Sequence, residues 1–224
     1  RHIDAQVART RSRPIPSGQV TVRGALAWLV AQSLAGLAIL LTLGGAAITL
    51  GVASLALVGI YPFAKRFTWW PQVFLGLAFN WGALLAWAAH TGNLAPAPVL
   101  AWLSGIAWTV FYDTIYAHQD TEDDALIGVK STARLFGAET GRWLGLFLIV
   151  TVALMTAAVL IAALDQPLPR LLLALAAPWA LGWHLWGQLR ALDTENPDTC
   201  LRLFRSNRNA GLIAALFLAG AALV

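Results

Sequence analysis

The stretch Gly24–Ala64, "GALAWLVAQSLAGLAILLTLGGAAITLGVASLALVGIYPFA", contains no charged residue, and neither does the run from Phe67 to Tyr112. A spanning helix needs about 20 mostly apolar residues, so each interval is long enough for two. Across its 224 residues the chain is 58% hydrophobic and only 12% charged, with a mean hydropathy of +0.67. Soluble domains carry about 25% charged residues, and half that density points to the bilayer as the solvent. The apolar runs are continuous and rich in Leu and Ala, unlike barrel strands, which alternate over segments of about 10 residues. The fold class is therefore all-α and polytopic. The lone cysteine, Cys200, excludes an intramolecular disulfide and a cysteine-based metal cluster.

Apolar periodicity and breakers predict seven membrane-spanning helices, at about 24–43, 45–62, 72–89, 99–117, 143–164, 170–190 and 208–224. Gly44-Gly45 divides the first two, "HTGNLAPAPV" the third from the fourth, and "DQPLP" the fifth from the sixth. With this threading, fourteen of the fifteen Lys and Arg residues fall on one side and only Arg170 on the other. The positive-inside rule makes the richer side cytoplasmic. That split explains the pI of 9.8 without nucleic acid.

Ten of the eleven acids share the basic side, Asp165 being the exception. Acids contribute little to orientation, so their segregation needs another cause. Five of them lie in "FYDTIYAHQDTEDDALIGVKSTA", Phe111–Ala133. If the fourth helix continues, Asp113, Asp120 and Asp124 fall at i, i+7 and i+11 on one stripe. Like charges four residues apart repel unless a cation sits between them. Mg²⁺ takes one or two carboxylates plus substrate phosphates, which makes this stripe a candidate half of a Mg²⁺–phosphate site. Glu122 and Asp123 read instead as solvated loop residues. Asp113 lies deeper, where an acid in a span costs roughly 2.5–3.5 kcal/mol and marks a functional candidate.

Two basic clusters are expected on the same face. "YPFAKRFTWWPQ" holds Tyr61, Lys65 and Arg66, and "DAQVARTRSRPIPSGQVTVRG" holds Asp4, Arg9, Arg13 and Arg23. Alone, each reads as an interfacial anchor. Together with the acids they would form a metal and phosphate site at the mouth of an apolar bundle. Arg202, Arg205 and Arg208, in a polar connection ahead of the last helix, are expected to be anchors, with lining the site as the alternative. Asn80 is expected to find a helix partner or to line the cavity. His118 should face away from the acid stripe, and Pro178 falls inside the sixth helix.

The segments "IDAQVARTRSRPIPSG", "YPFAKRFTWWPQVFLGLAFNWG", "YDTIYAHQDTEDDALIGVKSTARLFG" and "DTCLRLFRSNRNAGL" resemble the UbiA family of intramembrane aromatic prenyltransferases. They are most similar to its branch that prenylates 4-hydroxybenzoate in ubiquinone biosynthesis. The resemblance implies a nine-helix bundle and two acidic motifs that bind a polyprenyl diphosphate through Mg²⁺. By that resemblance Asp120 and Asp124 are the second motif, with Asp113 as a supporting acid or the base for the ring proton. Lys65, Lys130, Arg9 and Arg13 would hold diphosphate, together with Tyr61, and Arg66 the acceptor's carboxylate. The first motif of the family reads Asn-Asp-x-x-Asp-x-x-x-Asp, and Asp4 matches its last aspartate as a metal ligand. The expectation is one domain over 1–224 that lacks an amino-terminal helical hairpin, leaving seven helices of nine and no activity by itself. Residues 1–23 and 112–142 are expected to be cytoplasmic-side loops of the active site. The implied location is an inner membrane, bacterial in preference to the mitochondrial alternative, with the active site on the cytoplasmic side. Rival readings are the same reaction on another aromatic acceptor, or a membrane transporter or scaffold.

Overall fold

The computed structural model describes residues 12–126 and 128–224, so Asp4 and Arg9 lie outside the described residues. All regular structure among the described residues is helical. The first hairpin pairs α1 (Val22–Leu41) with α2 (Gly45–Ile60). The Thr21 hydroxyl caps α1 by accepting the Gly24 N–H at 3.1 Å, satisfying a donor that the helix cannot. A Cβ at Gly51 would lie 2.6 Å from Leu40 Cδ1, so this glycine is what lets the two helices close. No α1 residue is buried, and an all-round apolar helix in that position has lipid as its surroundings.

A 3₁₀ turn (Tyr61–Phe63) and the short α3 (Ala64–Phe67) lead out of α2. The predicted single helix over 72–89 is in fact two, α4 (Pro71–Phe79) and α5 (Gly82–Thr91), broken at Asn80-Trp81. The Asn80 amide donates to the Gly76 carbonyl at 2.9 Å. A side chain that competes with the backbone in this way interrupts a helix. Next come α6 (Pro96–Ala117), α7 (Thr121–Leu126), α8 (Thr132–Phe136) and α9 (Thr140–Ala163). The expected loop over 112–142 is thus mostly short helices. The last pair is α10 (Leu168–Arg190), with Pro178 inside it, and α11 (Pro197–Leu223).

α11 starts far earlier than the expected position 208. Asn196 caps it by accepting the Thr199 N–H at 3.0 Å. Cys200, Leu203, Asn207, Ala210 and Ala214 then form a buried stripe at helical spacing. A hydropathy reading misses these first turns because their other face is polar. The core is built by α6, α9, α10 and α11, around Phe111, Ile115, Leu144, Leu181, Leu185 and Cys200.

Lipid tails are as apolar as leucine, so packing and hydrogen bonds between helices have to hold the bundle together. Indole and hydroxyl donors provide the bonds. Trp81 Nε1 donates to the Leu50 carbonyl at 2.9 Å, Trp102 Nε1 to Leu77 at 3.1 Å and Ser104 Oγ to Thr151 at 2.8 Å. Arg170, the one basic residue threaded to the far side, donates to the Ala221 and Ala222 carbonyls at 2.7 and 3.0 Å. A cation there also suits the negative end of α11.

Among the described residues four helical segments are long and apolar enough to cross a membrane: Val22–Leu41, Gly45–Phe67, Pro71–Thr91 and Thr132–Ala163. With 22, 23 and 27 residues, α6, α10 and α11 match the others in length but not in hydropathy. The protein is an all-α polytopic membrane protein.

Candidate active site

Backbone hydrogen bonds join the two segments that sequence spacing could only place on the same face. Lys130 N–H donates to the Lys65 carbonyl at 3.1 Å, so the chain after the acids lies against the end of α3. Thr132 N–H donates to Gln72 Oε1 at 3.2 Å, and the Thr114 and Thr132 hydroxyls meet at 2.6 Å. Gln72, Thr114 and Thr132 are all buried, which makes this junction rigid. Ser131 caps α8 by accepting the Arg134 N–H at 3.4 Å. The Arg134 guanidinium donates to the Val129 carbonyl, and to Asp124 O at 3.3 Å, closing the turn after α7. Lys130 Nζ and Arg134 Cζ lie 5.9 and 5.4 Å from the Trp69 ring centroid, within cation–π range.

The acids occupy the same end of the bundle. Asp113, half-buried on α6, lies close enough to Tyr61 and Tyr112 for its charge to act on both phenols. This puts Tyr61, from the end of α2, within electrostatic range of the α6 acid. A 3₁₀ turn at His118–Asp120 separates Asp113 from Asp124, so the expected continuous stripe is not one ideal helix. Asp124, on α7, is only 8% exposed, whereas Glu122 and Asp123 beside it are exposed. Asp113, Asp120 and Asp124 all have interaction partners, as does Tyr116.

No group of three or more His, Cys, Asp or Glu side chains able to hold a metal occurs among the described residues. Two aspartates are nevertheless a donor set that suits Mg²⁺, which completes its shell with phosphate oxygens and water.

Other expected residues are scattered. Arg66 is exposed, with its guanidinium 5.6 Å from the ring centroid of Phe63, itself exposed. Arg13 lines a separate cleft of about 610 Å³ with Pro14, Pro16 and Trp28.

A cavity of about 360 Å³ adjoins the acid site, lined by Phe79, Asn80, Trp108, Tyr112, Phe204, Arg205, Asn207 and Arg208. Tyr112 belongs to both. Its ring packs against Trp108 and Phe204, with centroids 6.0 and 5.8 Å apart, and its hydroxyl donates to Thr109 Oγ1 at 3.3 Å. Asn80 Nδ2 donates to the same Thr109 oxygen at 2.9 Å. Trp108 Nε1 donates to Asn207 Oδ1 at 2.9 Å, and Asn207 Nδ2 to Gln188 Oε1 at 3.2 Å. Arg205 and Arg208, expected as anchors with lining the site as the alternative, are both exposed and both line this cavity.

His118 faces α9, with Nε2 3.2 Å from Thr140 Oγ1. Burial pushes its pKa below the usual histidine value. A base with a depressed folded pKa favours the neutral form, so the unfolded chain takes up its proton first as pH falls. Stability from this group is complete above about pH 6.5, the ordinary histidine value, and declines as pH falls from there toward the folded pKa. His118→Gln is expected to flatten the acid limb of the Tm-versus-pH curve of the detergent-purified protein. An unchanged limb would show that His118 titrates alike in both states.

Residues 1–222 match the UbiA prenyltransferase family. Over 216 residues, 96% of this chain and 53% of the relative, it is 48% identical to the mitochondrial 4-hydroxybenzoate polyprenyltransferase of Drosophila pseudoobscura pseudoobscura. Over 217 residues it is 46% identical to the Bos taurus protein of that name, again 96% of this chain and 57% of the relative. The chain thus spans about half the length of the curated relatives it matches. These relatives are mitochondrial by name, and the expected bacterial inner membrane finds no support in them. The fold is similar to the apo structure of a UbiA homolog from Aeropyrum pernix K1, with a TM-score of 0.74 at 23% identity, covering 97% of this chain and 79% of that one. Its family match, the identity to those relatives and the helical bundle agree: the chain belongs to the UbiA prenyltransferase family.

Proposed function

We propose that the protein transfers a polyprenyl group from a polyprenyl diphosphate to 4-hydroxybenzoate, at the ring carbon ortho to the hydroxyl, in ubiquinone biosynthesis. The observation that carries the reading is the Lys130 N–H to Lys65 carbonyl bond at 3.1 Å, which brings the basic segment against the acidic one. That junction, beside an aromatic cavity, supports a diphosphate head at the membrane surface and a ring acceptor below it.

In this reading Asp120 and Asp124 hold Mg²⁺, with Asp4 from the first motif. Bound there, Mg²⁺ would neutralise charge on the departing diphosphate. Lys65, Lys130, Arg9 and Arg13 supply further positive charge for the diphosphate oxygens, and Tyr61 supports them. Fixed charges aimed at a leaving group act most strongly where water is scarce. The carbon–oxygen bond to diphosphate breaks, with the electron pair leaving on oxygen. A carbon–carbon bond forms from the ring carbon to the allylic carbon, and the ring proton passes to a base. Asp113, beside Tyr61 and Tyr112, is the proposed base. Residues 1–23 and 112–142 form the cytoplasmic-side rim of one domain over 1–224.

Membranes carrying the full-length protein are expected to prenylate 4-hydroxybenzoate in the presence of Mg²⁺ and to stop when EDTA is added. Product formed from another phenol but not from 4-hydroxybenzoate would replace the acceptor. No transfer to any aromatic acceptor would sink the reading.

A further inference from the structure

We propose that Gln188 on α10 is a positioning residue. Acting through Asn207 on α11, it fixes the Trp108 indole as a wall of the cavity beside the acid site. The inference rests on the prenyltransferase reading only for the substrate that meets this wall.

The relay crosses three helices. Trp108 Nε1 on α6 donates to Asn207 Oδ1 at 2.9 Å, and Asn207 Nδ2 donates to Gln188 Oε1 at 3.2 Å. Gln188 Nε2 donates to Ser206 Oγ at 3.0 Å, and that hydroxyl donates to the Leu203 carbonyl at 2.7 Å. The chain of bonds runs in one direction only. An indole N–H at one end can only donate, and a backbone carbonyl at the other can only accept. Neither amide can therefore turn over without setting donor against donor. Gln188 is 3% exposed and Asn207 9%, and a buried network with its members satisfied is rigid.

The indole is held elsewhere too. A Cβ at Gly211 would lie 3.3 Å from Trp108 Cη2, so this glycine gives the outer edge of the ring its place against α11. Tyr112 meets the ring edge-to-face, with centroids 6.0 Å apart. Hydrogen bond, packing contact and aromatic neighbour together fix the indole plane.

That plane matters because Trp108 lines the cavity with Tyr112 and Phe204, while Gln188 stands behind, outside the lining residues. A ring bound there gains from the wall by close contact and offset or edge-to-face packing, both of which fall off as the wall turns. Stability alone is a poor reason for the relay. Hydrogen bonds between membrane helices add little net stability, so an apolar side chain of Gln188's shape would serve α10 and α11 nearly as well. What the polar relay adds is a direction for the Trp108 N–H.

The test uses the full-length protein, purified in detergent and labelled with 5-fluorotryptophan. The Trp108 resonance is assigned by its loss in Trp108→Phe. Gln188→Met keeps the length of the side chain and removes both of its hydrogen bonds, and it is expected to shift or broaden that resonance. It should raise the KM for 4-hydroxybenzoate about three- to tenfold, the scale of coupling within one network, and leave the KM for the prenyl diphosphate within about twofold. In a Trp108→Phe background, where the indole N–H is already gone, Gln188→Met should have no further effect on either KM. Ser206→Ala breaks the same chain one link on and should show the same split, so the proposal does not depend on one variant folding. An unmoved Trp108 resonance in both variants overturns it. So do two KM values that rise together, a full effect of Gln188→Met in the Trp108→Phe background, or a lowered thermal midpoint with both KM values unchanged. A resonance that moves with Gln188 in a protein that prenylates no acceptor would leave the relay standing while the enzymatic reading failed.

Discussion

Asp120→Asn and Asp124→Asn are each expected to lower kcat for prenyl transfer by about 10²–10³-fold, the scale seen when one preorganised charge-stabilising group is removed. The substitution keeps the side-chain shape and removes only the negative charge. With three carboxylates in the proposed set, Asp4 included, losing one should also raise the Mg²⁺ concentration needed for half-maximal rate at least tenfold, a signature that general misfolding would not produce. Asp123→Asn is the internal control. Asp123 sits next to Asp124 on α7 but is exposed, whereas Asp124 is nearly buried. The control should stay within about twofold of wild type, because surface substitutions away from such features have little effect. If Asp120→Asn and Asp124→Asn keep both their rate and their Mg²⁺ requirement, the metal assignment is wrong. If Asp123→Asn falls with them, α7 presents a different face to the substrate.

The largest expected loss of stability from a minimal change is at Gly105. A Cβ there would lie 2.3 Å from Asn80 Oδ1 and 2.5 Å from Asn80 Cγ, so Asn80 must move. That displacement strains the hydrogen bonds from its amide to Thr109 Oγ1 and to the Gly76 carbonyl. Overpacking of this kind costs about 1–3 kcal/mol. Hydrogen bonds between membrane helices add about 0.6 kcal/mol each on average, because the unfolded helices also find partners in the bilayer. Gly105→Ala should therefore lower the thermal midpoint in detergent and shrink the pocket that Asn80 lines. The double variant Asn80→Ala with Gly105→Ala removes the two shortest contacts, leaving only the Asn80 Cβ at 2.9 Å, and should recover part of the loss, giving a coupling energy well above the error of additivity. Strict additivity of the two substitutions would mean that the helices part instead. The nearby Gly76, whose Cβ would meet the Ile106 backbone at 3.0 Å, is the place where such parting would begin.

Much of the bundle was legible because a bilayer imposes a coarse rule. Every backbone polar group within it must be satisfied, so long apolar runs become helices and charges gather at their ends. The hairpin of α1 and α2 follows its expected span closely for that reason. Where apolar content stops being the criterion, the reading weakens. The early start of α11 was missed because Cys200, Leu203 and Asn207 bury one face while arginines occupy another, and mean hydropathy averages the two. The break at Asn80 was missed because one amide bonding to its own helix leaves no trace in hydropathy.

The candidate site divides along the same line. Residue type and spacing singled out the acids and the Tyr61–Lys65 segment as candidates, because short-range periodicity and charge are properties of the chain itself. The bond between Lys130 and Lys65, the approach of Asp113 to Tyr61, and the meeting of Asn80 with Arg205 and Arg208 around one cavity were decided only by tertiary structure. Such contacts link residues far apart in sequence through the packing of whole helices, and no local pattern encodes which faces those helices turn toward one another.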